Sequence, residues 1–114
     1  MSGARRRFGV AGEDAAAAWY LAAGYQVLDR NWRCDEGEID LVCRRGGAVV
    51  VCEVKARAST AFGTPFEAVT ASKRRRLRGL GARWLREHAV SCDCVRFDVV
   101  GVACGRVEVV EGAF

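Results

Sequence analysis

A chain of 114 residues with a formal charge of +4 is large enough for one core and too small for a second domain. About half of it is apolar, yet no run approaches the length of a membrane span, which argues for a packed globule. Six cysteines occur without a Cys-x-x-Cys and with His88 as the sole histidine, so zinc-finger spacing is excluded. Residues Met1 to Arg7 read as a flexible basic leader. The segment after Arg5-Arg6-Arg7 carries Gly, Ala, Glu13 and Asp14 rather than an apolar stretch, so no secretory signal is expected and the reading is a cytoplasmic protein with reduced thiols.

The single domain is then expected over residues 8–114. A first helix spans about Phe8 to Ala23, alanine-rich and stopped by Gly24. Its apolar stripe takes in Val10, Ala16, Ala17, Tyr20 and Leu21, and Glu13 shares it by the i+3/i+4 rule. That glutamate either needs an inward partner or complements the positive end of the helix dipole. Tyr25 to Asn31 reads as a strand, and Trp32 to Glu36 leads out of it.

The next stretch, Gly37 to Lys55, reads as a hairpin turning at Gly46-Gly47. With those glycines as the loop, Arg45 pairs with Ala48, Asp40 falls opposite Glu53, and Glu38 falls opposite Lys55. All four charged residues share one face of the pleat, together with Val42, Val49 and Val51. The other face carries Ile39, Leu41, Cys43, Val50, Cys52 and Val54 and reads as core. Two carboxylates about 5 Å apart repel by roughly 3 kcal/mol at an effective dielectric of about 20. Either one of them holds a proton or a divalent cation sits between them. Lys55 reaches the same space, so the hairpin reads as a Mg²⁺ site with a lysine beside it. The simpler alternative is the wet face of a hairpin, which the valines on the acid face argue against.

After Lys55 the chain reads as a loop through Pro65, with Arg57 close enough to touch substrate. A second helix runs from a cap at Thr70 or Ser72 to about His88. Leu77, Leu80, Trp84, Leu85 and His88 form its apolar stripe, and His88 reads as a cap or core residue rather than a catalyst. The opposite side carries Lys73, Arg74, Arg75, Arg76, Arg78, Arg83 and Arg86, diluted only by Glu87. A face so uniformly basic favours phosphate contact over simple solvation. Cys94 to Val102 and Arg106 to Glu111 read as a final pair of strands, with Val95, Phe97 and Val99 inward.

Helix, strand, hairpin, helix, strand, strand, with Asp40 followed after twelve residues by Glu53-Val54-Lys55, resembles the PD-(D/E)xK nuclease superfamily. Ile39 stands where that pattern has its proline. The wider string is Gly12-Glu13-Asp14, Asn31-Trp32-Arg33, Gly37-Glu38-Ile39-Asp40-Leu41, Glu53-Val54-Lys55, Gly63, Ala68-Val69, Lys73 and Arg96-Phe97-Asp98. It resembles the YraN family of small bacterial proteins, itself similar to archaeal Holliday-junction resolvases. The resemblance implies an α/β fold with a restriction-endonuclease-like core (αβββαβ), a mixed central sheet flanked by helices. It implies Mg²⁺ or Mn²⁺ held by Asp40 and Glu53, with Glu13 supporting directly or through water. Lys55 would orient or deprotonate the attacking water, and Glu38 is the expected partner of Lys55. Arg57, Lys73, Arg74, Arg76 and Arg83 are the expected contacts to the nucleic-acid backbone. The expected activity is a metal-dependent endonuclease on structured or branched DNA, acting as a homodimer if it resolves junctions. The alternatives are a binding module of the same fold without turnover, and a cysteine-based metal or redox protein.

Overall fold

The computed structural model describes residues 3–57 and 69–114, and side chains over 10–56 and 69–114. Seven elements follow in order: α1 (Gly3–Ala22), β1 (Gln26–Cys34), β2 (Gly37–Arg45), β3 (Ala48–Arg57), α2 (Ala71–Glu87), β4 (Cys94–Ala103) and β5 (Arg106–Val110). They form one mixed five-stranded sheet in the order β1-β2-β3-β4-β5. The β1/β2, β2/β3 and β4/β5 pairs are antiparallel, and β3/β4 is parallel, with α2 as the crossover. This is the α/β architecture expected, a mixed sheet flanked by two helices and compatible with a restriction-endonuclease-like core.

The centre of the sheet is buried on both faces, so Leu41–Cys43 of β2 and Val49–Cys52 of β3 are unbroken apolar runs. On one face Ala16, Ala17 and Tyr20 of α1 pack on Leu41, Cys43 and Val50. On the other, Leu77, Leu80 and Trp84 of α2 pack on Val42, Val49 and Val51. The valines expected to be covered on the acid face therefore lie under α2. Gly81 makes this close: a Cβ there would sit 3.2 Å from Phe97 and 3.3 Å from Val51. Ile39 breaks the expected alternation, since it packs with the α2 cluster and not with Leu41.

Several boundaries differ from the sequence reading. Helix α1 begins at Gly3 and so takes in most of the expected leader, because nothing in the arginine run interrupts a helix. Val10 and Leu21 are 48% and 58% exposed, so the buried stripe of α1 is narrower than expected and centres on Ala16, Ala17 and Tyr20. Strand β1 continues through Trp32 to Cys34 by pairing with β2, and β3 runs on to Arg57 by pairing with β4. The Phe62-to-Pro65 loop lies outside the described residues. Helix α2 begins and ends as expected: the Thr70 side chain accepts the Lys73 N–H, and His88 is the C-cap, its ring stacked on Trp84.

The fold is fastened by Asp98, the one fully buried charged residue among those described. Its Oδ2 accepts the Tyr20 hydroxyl at 2.6 Å, and the Arg96 guanidinium reaches both oxygens at 2.8 and 2.9 Å. The Gly112 N–H completes the set at 3.0 Å. One carboxylate thus ties α1, β4 and the C-terminal segment together with no lone pair wasted on an apolar neighbour. Tyr20→Phe keeps the ring packing and removes one donor to a buried charge, so it should cost about 1.5–3 kcal/mol. Urea unfolding followed by circular dichroism checks this; a change below about 0.5 kcal/mol would remove the hydroxyl from the list of structural contacts.

Candidate metal and nucleic-acid site

The β2/β3 register is the one that the two turn glycines dictate, from Arg45↔Ala48 to Leu41↔Cys52. The ladder ends there. At the next step the Asp40 carboxylate replaces the partner strand: its Oδ2 accepts the Val54 N–H at 2.8 Å. Asp40 and Glu53 stand together at the point where the two strands part. They line a cleft of about 350 Å³ between the strand ends and the start of α2. Glu38, Asp40 and Glu53 form one wall, while Lys55, Lys73 and Arg76 supply the cations.

Burial, and then the charge of Glu53, push the Asp40 carboxyl up to about 7, with smaller contributions from Glu38 and Glu13. The Val54 N–H pulls the other way but does not win. Lys55 donates to Glu53 Oε1 at 3.0 Å. Burial disfavours its charge, but the contact with Lys73 and the Glu53 carboxylate outweigh this, and its pKa is raised. The hydrogen bond from Lys55, together with some desolvation, lowers that of Lys73.

Glu38 does not reach Lys55 as the hairpin register suggested. It pairs with Arg33 Nε at 3.0 Å. The reason is that β2 leaves β3 after Leu41 but stays paired with β1, which places Glu38 on the same rung as Arg33. Glu13 comes from α1 with its side chain 16% exposed. The Asn31 amide donates to its Oε2 at 2.8 Å, and Arg30 lies 3.9 Å from the same oxygen while binding Asp14 at 2.6 Å. Glu13 does not close with Asp40 and Glu53 into a tight trio. The one such trio among the described residues, with ligand atoms within 4.8 Å, is Cys34, Asp35 and Glu36. There Asp35 and Glu36 are bound to Arg83 at 2.5 and 2.7 Å.

The basic helix divides by role. Lys73 and Arg76 line the cleft. Arg83 is held by Asp35, Glu36 and Glu87, so it closes the β1–β2 turn onto α2 rather than facing a ligand. Arg74 donates to the Val69 carbonyl at 3.2 Å, and with Arg78 it lies over the Phe114 ring. Arg57 is in β3 opposite Ala103, and its side chain lies outside the described residues. Sequence reasoning gave no role to Asn31 or Arg30; the Asn31-Trp32-Arg33 string signalled Asn31, and nothing signalled Arg30.

The donor chemistry suits a hard divalent cation. Two carboxylates lining one cleft, one of them driven toward its neutral form by burial and by the charge of the other, are what such an ion relieves, and Mg²⁺ or Mn²⁺ takes oxygen ligands while keeping waters. A family model described as "Uncharacterised protein family UPF0102" matches residues 12–102. The chain belongs to the UPF0102 family. This is the YraN family whose motif string the sequence resembles. Among its relatives, a UPF0102 protein of Frankia casuarinae is 48% identical over 97% of this chain and 98% of its own. One from Beutenbergia cavernae is 49% identical over 96% and 97%, and one from Moorella thermoacetica is 47% identical over the full length of both chains.

The raised Asp40 carboxyl fixes a pH dependence for the metal-free UPF0102 protein. Between about pH 4 and 7 the native state holds a proton that the unfolded chain releases, so stability falls as pH rises through that window. Asp40→Asn keeps an acceptor for the Val54 N–H and removes the ionisation. It should be more stable than the native sequence above pH 7, by up to the order of 4 kcal/mol, and lose that advantage near pH 4. Thermal melts in chelator across pH 4–8 check the sign; parallel curves for the two proteins would refute it.

Proposed function

We propose that this UPF0102 protein is a metal-dependent phosphodiester hydrolase acting on DNA, with structured or branched DNA as its preferred substrate. The observation that carries the reading is one cleft lined by both Asp40 and Glu53, with the Lys55 amine 3.0 Å from Glu53 and with Lys73 and Arg76 on the same lining. A carboxylate pair and a cation group so close together match a phosphate that must be bound and cleaved at one place.

Asp40 and Glu53 would hold Mg²⁺ or Mn²⁺, which when bound supplies Lewis acidity and an activated water. Lys55, held 3.0 Å from Glu53, would orient the attacking water and stabilise negative charge building at phosphorus. Glu53 fixes that amine in place. Lys73 and Arg76 would grip the phosphate, and contacts of this kind hold the backbone without reading sequence. Selection would then come from the shape of the DNA. Cutting both strands of a junction symmetrically requires a two-fold dimer, for which sedimentation of the protein with junction DNA is the test.

The deciding experiment is a cleavage panel of duplex, single-stranded, flap and four-way-junction DNA with Mn²⁺. Cleavage should appear with the native sequence, fall by at least about 100-fold in Asp40→Asn and in Lys55→Met, and vanish in chelator. Asp40→Asn should keep DNA affinity within about threefold, since it removes a negative charge, and binding should weaken steeply with salt. Salt-sensitive binding with every substrate left intact would favour a DNA-binding module of the same fold.

A further inference from the structure

Three observations meet at Glu13 and are not used by the reading above. The first is the fit of α1 against β3. Gly12 is buried, and a Cβ on it would fall 2.6 Å from the Cβ of Ala56, closer than two carbons can approach. Ala56 follows Lys55 in β3, and Gly12 precedes Glu13 in α1. The helix thus touches the strand one residue from Glu13 on its own side and one residue from Lys55 on the other, and only a glycine allows it.

The second is the register of β1. Arg30↔Leu41 and Trp32↔Ile39 flank Asn31, which places it across from Asp40. Asp40 in turn stands one step past Leu41↔Cys52, beside Glu53. Asn31, Asp40 and Glu53 therefore lie in one row across three strands. The third is the backbone of Asn31, at φ 54, the left-handed region that few residues other than glycine and asparagine enter readily. From there its amide donates to Glu13 Oε2 at 2.8 Å.

We infer that Gly12 and Asn31 are positioning residues, Gly12 setting how near α1 comes to β3 and Asn31 aiming the Glu13 carboxylate at the Asp40–Glu53 row as a third acidic group. The inference rests on the metal reading of that row. The Asn31 amide holds Oε2 at 2.8 Å, Arg30 lies 3.9 Å from the same oxygen, and the Glu13 charge is felt at Asp40, so Glu13 would serve the cation directly or through a water. A hydrogen bond from a side-chain amide fixes the direction of a third carboxylate, and groups that orient ligands in this way commonly govern affinity by about 10–100-fold.

The test is Mn²⁺ binding alone, read by loss of the free-ion electron paramagnetic resonance signal, without DNA and without turnover. The native sequence should bind Mn²⁺, and Asp40→Asn should abolish this. Glu13→Gln, Gly12→Ala and Asn31→Gly should each weaken binding by about tenfold. Asn31→Gly keeps the left-handed backbone and removes only the amide, so it separates aiming from folding. Gly12→Ala combined with Ala56→Gly restores the space and should bring affinity back to within about threefold of native; this double variant carries the test if Gly12→Ala alone fails to fold. Native-like binding in Asn31→Gly and Gly12→Ala, or no recovery in the double variant, would overturn the positioning roles while leaving the metal reading intact. Absence of Mn²⁺ binding by the native sequence would overturn the metal reading, and the inference with it.

Discussion

The site depends on where the β2/β3 ladder stops. Up to Leu41↔Cys52 the strands satisfy each other's backbone groups. One step later the Val54 N–H has no strand carbonyl and takes the Asp40 carboxylate instead. That bond holds a carboxyl in partly buried surroundings beside a second one, an arrangement that costs stability in the metal-free protein. Everything else at the cleft is arranged around it: α2 covers the valines behind it, β1 carries Asn31 alongside, and Lys55 offsets Glu53.

What holds this unfavourable pair in place is the packing on both sides of the sheet. Tyr20 is fully buried and reaches Asp98, which also binds Arg96 and the Gly112 N–H. Helix α1 is thereby fixed to β4, while its Gly12 rests on Ala56 of β3. On the other face, Trp84 is buried and donates to Asp29 at 2.8 Å, at the irregularity where the β1/β2 register shifts. Both helices are thus fixed to the sheet by contacts outside the acidic row.

Local features were legible in the sequence. Gly46-Gly47 set the hairpin register, the alternation of β2 and β3 put Asp40 and Glu53 on one face, and Thr70 marked the cap of α2. These depend on neighbours within a few residues or on a fixed period of two. Contacts set by a third element were not legible. The partner of Glu38 depends on β2 parting from β3 while staying on β1. The use of Arg83 depends on the β1–β2 turn reaching α2. Asp98 read as a strand residue within the Arg96-Phe97-Asp98 motif, and nothing local shows that α1 and the C-terminal segment close on it. Glu13 lay between the two: its face followed from helical spacing, but its partner Asn31 is 18 residues away on a strand with an unusual backbone angle.

The basic helix carries the remaining argument. Lys73, Arg74, Arg75 and Arg76 occupy the first turns of α2, and no acidic residue stands in the first turn. Cations at that end oppose the helix dipole and one another, each by about 0.3–1 kcal/mol when exposed. Arg74 finds compensation in the Val69 carbonyl and the Phe114 ring. Lys73 meets Lys55, another cation, and Arg76 makes no ion pair among the described residues. A fold that sought only stability would place glutamates there. Dipole and side chains instead raise the potential at the same mouth of the cleft where Asp40 and Glu53 lower it. A cation is drawn to one wall and an anion to the other, which is the arrangement that the proposed phosphodiester and divalent ion would meet together.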